Sequence, residues 1–450
     1  MSKNIVVVGS GAAGMSAASA ARKASKDAKI TVITEDEDIA YSPCAIPWGI
    51  EGRTGWSDIV MHDAAFYKTD RDIDVIIKTK VEAVDGDKKE VTAAGKTYPY
   101  DSLVIATGGT VFVPPIDGKD LQNVFVVRTV RDGKNIQKAL ETAKNVVIGG
   151  AGVIGLELAV ALKDMGKDVT VIEMMDQVIP RIADRDMADI MQRHLEDRGV
   201  KFVMKAPIQA VKGDGKVEAV TANGTDYPCD VMIFATGVRA NLELPKMLGL
   251  DIGQLNAVIA APTMNAYRRG RLVPDVYVAG DLVQCTSAVM PGVTMSQLGS
   301  TAVKQGLVAG NNAAGGEKKE FGPVASPWVS MVGDLQIAGT GMSLGLASWY
   351  GIDVVCGKAQ GLTRARYYPG GKELIVKVLA DKTSHRLIGA QIVAGEEATG
   401  RINWLTSAII DGKTAEAFMV DSENAYCPPT NMVRDVVLAA VDDLCGKLKQ

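Results

Sequence analysis

Histidine is nearly missing from this chain: His62, His194 and His385 are the only three in 450 residues. No two of the six cysteines stand in CxxC spacing, so no zinc site is expected. The cysteines are scattered, which argues against a disulfide framework. No window approaches the ~20 consecutive apolar residues that a membrane-spanning helix needs, so no membrane span is expected. Basic excess is missing as well. The net charge is -4, and no nucleic-acid partner is expected. The opening "MSKNIVVVGSG" enters a strand pattern at once and leaves no room for a signal peptide, so a cytoplasmic location is expected. Aromatics are sparse at 5%, whereas glycine is plentiful at 47 residues. That balance suits a fold of many tight turns and close cofactor contacts. The length suits two to four domains of ~100–200 residues each.

The glycines are ordered. In "KNIVVVGSGAAGMSAASAARKAS" an apolar run ends at Val8, and Gly9, Gly11 and Gly14 follow in GxGxxG spacing around Ala12 and Ala13. An Ala-rich helical pattern comes next, then "KITVITEDED", a second strand that ends in acids. This is a βαβ dinucleotide unit. The glycines allow the turn, the approach of a pyrophosphate and the packing of helix on strand, and the helix N-terminus faces the phosphates. The ribose-binding acid is Glu35 or its neighbour Asp36. The device recurs in "NVVIGGAGVIGLELAVALKDMGKDVTVIEMMD", with Gly150, Gly152 and Gly155 around Val153 and Ile154, and Glu173 closing the second strand. An acid at that position accepts from ribose 2′- and 3′-hydroxyls and repels a 2′-phosphate, so NADH is expected over NADPH.

Two further strands run into ATG, "YDSLVIATGGT" with Thr107 and Gly108 and "CDVMIFATGVRAN" with Gly237, and "PDVYVAGDLVQ" ends on Gly280 and Asp281. In this order the motifs resemble those of the FAD-dependent pyridine nucleotide–disulfide oxidoreductases, over essentially the whole chain. The resemblance implies an α/β fold of two Rossmann-like domains and a C-terminal α+β dimerisation domain. The FAD domain is expected over residues 1–115 and 250–320, the NAD(P)H domain over 116–249 and the dimerisation domain over 321–450. It also implies FAD on the first fingerprint with Asp281 on its ribityl chain, NADH on the second, and Glu157 near the nicotinamide. The expected partner is a second copy of the chain, in a homodimer that shares its active sites.

The chemistry is expected at Cys44, in "IAYSPCAIPWGIEG" (residues 39–52). Pro43 and Pro47 stiffen this loop. If the run after Cys44 opens a helical turn, its N-terminus would favour the thiolate. The CxxxxC dithiol of glutathione-reductase-like enzymes is absent, because Gly49 stands five residues on, and no histidine follows His385 to serve as their acid/base. The chain instead resembles single-cysteine members: coenzyme A-disulfide reductases, NADH-dependent persulfide or polysulfide reductases, and NADH oxidases and peroxidases. "YSPCAIP" has the C-x-x-P form of the first two. "SENAYCPPTN" resembles the Tyr-x-Pro-Pro segment that coenzyme A-disulfide reductases place over the partner's cysteine. That implies Tyr426 as the acid for the leaving thiolate. Tyr367 and Tyr368, in "RARYYPGG", face the same site in similar proteins. Coenzyme A would need a basic mouth, which the resemblance puts at Arg22 and Lys23. Cys427 departs from the pattern and opens a Cys44–Cys427 pair across the dimer. The expected activity is reduction of a coenzyme A disulfide, persulfide or polysulfide by NADH through FAD and Cys44. The alternatives are an NADH oxidase or peroxidase with Cys44 as sulfenic acid, and a metal reductase using Cys44 with Cys427.

Overall fold

The computed structural model describes residues 2–450. Each fingerprint strand lies inside a sheet between parallel neighbours, as its sequence frame requires. The first sheet has six strands in the order Asn265–Arg268, Arg271–Val278, Ser102–Ile105, Asn4–Val8, Lys29–Ile33, Asp74–Ile76. The second has five, in the order Lys201–Val203, Asp168–Ile172, Asn145–Gly149, Val231–Phe234, Val124–Val126, with every pairing parallel. Strands such as Asn4–Val8 and Asn145–Gly149 read as continuous apolar runs because helices cover one face of each sheet and a small antiparallel meander covers the other. In both units the fingerprint strand sits where the strand order reverses, so a crevice opens at its carboxyl end.

The duplication goes further than the glycines. Each unit carries a three-stranded antiparallel meander, Val81–Asp85, Glu90–Ala93, Lys96–Pro99 in the first and Ile208–Lys212, Ala219–Ala222, Thr225–Pro228 in the second. Each meander runs through Tyr-Pro-x-Asp into the ATG strand. Asp101 then accepts from the Asn4 amide at 2.7 Å, and Asp230 from the Asn145 amide at 2.7 Å. One carboxylate therefore fixes the start of each fingerprint strand.

The first unit is closed by chain from its far side. Helix Gly299–Ala313 packs on the fingerprint helix Ala12–Ala24 through a seam of alanine and glycine. A Cβ on Gly310 would lie 1.9 Å from the Ala17 carbonyl oxygen, and one on Gly306 2.2 Å from that of Ala13. Only glycine lets these backbones approach so closely.

The third unit is a five-stranded antiparallel sheet in the order Trp328–Val332, Leu335–Gly341, Leu387–Ala394, Glu373–Asp381, Val354–Leu362. Helices Ala398–Ile410 and Val436–Leu448 supply most of its apolar cover. Lys377, 5% exposed, joins it to the second unit, with Nζ 2.8 Å from Asp184 and 2.7 Å from Asp186. No helix among the described residues is long and apolar enough to cross a membrane.

Candidate active site

Cys44 lies in a 3₁₀ turn, Pro43–Ala45, that runs into the helix Ile46–Glu51. Pro43 is the first residue of the 3₁₀ turn and Pro47 the second of the helix, both within a first turn whose N–H groups have no intrahelical partner to lose. Trp56 wedges the helix in place. Its Nε1 donates to Gln137 Oε1 at 2.9 Å, and Gln137 Nε2 donates to the Gly49 carbonyl at 3.0 Å. A Cβ on Gly49 would lie 2.6 Å from the Trp56 ring, so the position five residues after Cys44 has no room for a second thiol. Ile39, five residues before, is a core side chain at 1% exposure.

The thiolate expectation needs correction. The helix does begin beside Cys44, but it is six residues long. The residue is exposed, yet the protein packed around its sulfur is dense enough to desolvate it. Burial pushes the Cys44 thiol up, and the carboxylate of Glu157 pushes the same way. A hydrogen bond from Ser42 and the charge of Arg128 oppose them without winning. Desolvation outweighs one short helix dipole.

Arg128 gives no signal in the sequence beyond preceding a capping box, in which Thr129 accepts from the Asp132 amide and Asp132 from the Thr129 amide. Its guanidinium donates to Asp281 Oδ2 at 2.7 Å. It thereby ties the thiol side of the crevice to the Gly-Asp turn. Gln305, 1% exposed, holds that turn from behind, accepting from the Gly280 amide at 2.8 Å and donating to Cys285 Sγ at 3.2 Å.

The first crevice fits a flavin dinucleotide. Gly9 has φ 107°, and a Cβ on Gly14 would meet the Gly9 carbonyl at 1.9 Å. No side chain caps the helix that starts after Gly11, so its first amides remain available to a diphosphate. Thr107 Oγ1 is buried without a hydrogen-bond partner beside Gly108. At the strand end Thr34, not an acid, closes the run, and a cavity of about 380 Å³ opens among Glu35, Asp36, Tyr41, Lys78 and Arg131. Both candidate ribose acids line it. Burial raises the Asp36 carboxyl, and Glu35 adds to this.

The second crevice repeats the arrangement. Gly150 has φ 107°, a Cβ on Gly155 would lie 2.1 Å from its carbonyl oxygen, and no side chain caps the helix after Gly152. Val153 and Ile154 open that helix, and Gly237, at φ 98°, follows the neighbouring ATG strand. Glu173, 7% exposed, accepts from the Ala151 amide at 2.8 Å and the Met175 amide at 2.9 Å. The acid thus braces the fingerprint loop as well as closing the strand. Glu157 projects from the same helix, half-buried, with Ser330 Oγ on its Oε1 at 2.7 Å. Burial raises its carboxyl.

The third unit places its two tyrosines together. The Tyr367 and Tyr426 hydroxyls are 2.6 Å apart, and both side chains are open to solvent. The contact with Tyr367 raises the Tyr426 hydroxyl, which therefore keeps its proton. A buried pair supports this corner. Arg401 donates to Asp435 Oδ2 at 2.9 Å and to Asn431 Oδ1 at 3.0 Å, and Asn431 reaches back to the Ala425 carbonyl. Ala365 donates to the Pro428 carbonyl, which joins the two tyrosine segments. Cys427 is exposed and free beside them, and Tyr368 is partly exposed. Within one chain Cys44 lies among the dinucleotide crevices and the tyrosines lie on the third unit. Lys23 is exposed, but Arg22 is engaged, 3.0 Å from Asp72 and bonded to the carbonyls of Lys26 and Asp72. A phosphate at Arg22 would compete with these partners.

The sequence signature of the pyridine nucleotide-disulphide oxidoreductases matches residues 3–306, and that of their dimerisation domain matches residues 328–435. An NADH oxidase of Methanocaldococcus jannaschii is 43% identical, with 98% of this chain and 99% of the relative covered. An NAD(P)H coenzyme A polysulfide/persulfide reductase of Pyrococcus horikoshii is 33% identical, with 98% of each covered. The solved structure of an NAD-dependent persulfide reductase from A. fulgidus superposes with a TM-score of 0.94 at 34% identity, covering 99% of this chain and 84% of that one.

Proposed function

The chain belongs to the pyridine nucleotide-disulphide oxidoreductase family and is an NAD(P)H-dependent oxidoreductase using FAD and NADH, and we propose that its acceptor is a sulfur–sulfur bond opened at Cys44. The third unit is the family's dimerisation domain, so the protein is a homodimer. One observation carries the proposal: a lone thiol without room for a second beside it, in a chain that presents a hydrogen-bonded tyrosine pair elsewhere. Disulfide chemistry needs an attacking sulfur and an acid for the leaving one. Cys44 supplies the first, and Tyr426 of the partner subunit the second.

Bound FAD would accept hydride from NADH and hand the electron pair on to sulfur. Gly9, Gly11, Gly14, Asp281 and Arg128 would hold it, with Glu35 or Asp36 on its ribose. Gly150, Gly152, Gly155 and Glu173 would hold NADH. The Cys44 thiolate attacks a coenzyme A disulfide, persulfide or polysulfide. The S–S bond breaks, and the leaving sulfur takes the tyrosine proton. The electron pair from NADH then cleaves the new bond to Cys44. The balance is one NADH and one proton for each disulfide opened to two thiols. A coenzyme A moiety would be received by Lys23, by Arg22 once released from Asp72, and by Tyr368. Six unpaired cysteines suit a reducing compartment such as the cytoplasm.

The reading is tested by reducing the enzyme with NADH and offering coenzyme A disulfide, polysulfide and oxygen. Reoxidation of the flavin is expected fastest with a sulfur acceptor, and mass spectrometry should find a sulfur adduct on Cys44. Oxygen outrunning both, with only sulfenic acid on Cys44, would establish a second reading, an oxidase, which the 43% identical relative favours. If Cys427 of the partner subunit pairs with Cys44, metal reduction should disappear in Cys427→Ala while disulfide turnover persists.

The coenzyme side has its own test. Glu173→Ala removes the acceptor of two backbone amides together with the ribose acid. KM for NADH is expected to rise about tenfold or more. Photoreduction of the flavin should be unchanged. An unmoved KM would remove Glu173 from the coenzyme site.

A further inference from the structure

Between Glu173 and the helix Arg185–Asp197 the chain is neither helix nor strand, yet it is bonded at both ends. Its near end grips the fingerprint turn. The Ala151 amide donates to Glu173 Oε2 at 2.8 Å, and the Ala151 carbonyl accepts from the Ile179 amide at 2.8 Å. Ile179 is buried there at φ 48°. A β-branched residue adopts that conformation only where its surroundings impose it. The Ile179 carbonyl accepts in turn from the Ala183 amide at 3.2 Å, and Gln177 Nε2 donates to the Ala183 carbonyl at 2.9 Å. The next residue is Asp184, the N-cap of the helix. Its carboxylate does not cap that helix, because the third unit takes it. Asp184 Oδ1 accepts from the Leu344 amide at 2.7 Å, Lys377 Nζ lies 2.8 Å from Oδ2, and the Asp184 amide donates to Gln391 Oε1 at 2.7 Å. Lys377 and Gln391 stand opposite each other on neighbouring strands, so both project from one face of the sheet, and both are buried. Apolar packing would serve stability at such a junction as well or better, whereas a lysine and an amide fix where Asp184 sits.

We propose that Lys377 and Gln391 are positioning residues for the coenzyme: by holding Asp184 they set, from the dimerisation domain, the shape of the segment whose other end presents Glu173 and braces the fingerprint turn. Neither residue needs to touch NADH. With the anchor gone, the strained turn at Ile179 loses its far support and relaxes. The Ala151 carbonyl then loses its donor, and the crevice meets the coenzyme in a looser form. The anchor therefore acts on coenzyme affinity and not on the transfer of electrons that follows. The inference rests on the reading that the second crevice receives NADH, and the test separates the two through Glu173.

Two variants of the holoenzyme make the test. Gln391→Met removes the acceptor of the Asp184 amide and keeps the ion pair. The double variant Lys377→Met, Asp184→Asn removes both charges together and leaves neither buried alone, while Asp186 keeps Lys358 at 2.6 Å. Calorimetry gives the dissociation constant of NAD+, and hydrogen exchange read by mass spectrometry gives the mobility of residues 174–183 without coenzyme. Both variants are expected to bind NAD+ roughly three- to ten-fold more weakly and to exchange faster across this segment. The limiting rate of flavin reduction at saturating NADH should stay within about two-fold of wild type. Should one variant fail to fold, the other carries the comparison. Glu173→Ala is measured alongside. If it weakens NAD+ binding while the anchor variants bind as wild type, the inference falls and the coenzyme reading stands. If it leaves binding unchanged, the coenzyme reading falls and takes the inference with it. A limiting rate that drops in step with affinity would mark a general loosening of the fold and overturn the positioning role.

Discussion

Cys44→Ser is expected to leave NADH-driven bleaching of the flavin in place while turnover of a disulfide or polysulfide acceptor falls by about a thousand-fold or more. A serine hydroxyl is neither ionised at neutral pH nor able to accept an electron pair through sulfur. No other thiol is built into the loop, since the neighbouring helical position is filled by Trp56 and the preceding one by core. Because burial and Glu157 hold the thiol up, wild-type turnover at limiting acceptor should climb as pH rises through and above neutrality. The serine variant should show no such climb. Stopped-flow spectra separate the two half-reactions. Full acceptor turnover by Cys44→Ser would remove the thiol from the electron path.

The second large effect is mechanical. Gly310→Ala places a methyl 1.9 Å from the Ala17 carbonyl oxygen, in a seam where both sides are helix backbone. No side chain is present to rotate away, so the helices must part, at a cost on the order of 3 kcal/mol or more. The helix pushed aside is the one whose N-terminus is proposed to receive the flavin diphosphate, so flavin retention should fall along with the thermal midpoint. Gly400→Ala is the internal control. Its Cβ would meet nothing within 4 Å inside a helix, and about 0.5–1 kcal/mol of added stability is expected. Thermal release of flavin fluorescence would rank the three proteins. A Gly310→Ala protein as stable as wild type would mean that the seam yields freely.

The contrast between these glycines explains what the sequence could and could not tell. Signals confined to ~30 residues were readable: both fingerprints, the strands feeding the ATG turns, and the strand-then-helix character of the final third. So was the isolation of Cys44 among the cysteines. What escaped is held by partners far apart in the chain. Arg128 and Asp281 are separated by 153 residues and Glu157 and Ser330 by 173, and no local pattern marks either pair. The sequence offered Glu173 as a ribose acid but did not show it as the brace of its own loop, because that role depends on where two amides point. The thiolate at Cys44 was misjudged for a related reason. A helix start can be seen in a sequence, whereas the desolvation that overrules it cannot. Arg22 likewise reads as a free helix cation until the chain around Asp72 folds back onto it.

The first sheet has a consequence for biosynthesis. Strand Arg271–Val278 pairs with Ser102–Ile105 across the whole inserted second unit, and the seam helix Gly299–Ala313 comes later still. The ribosome therefore completes every strand of the second unit before the first unit has its own last strand. Nascent chains must carry a half-built sheet with an unpaired edge through most of translation. The crevice of the first unit can be completed only near the end of synthesis, after every strand of the second unit has been made.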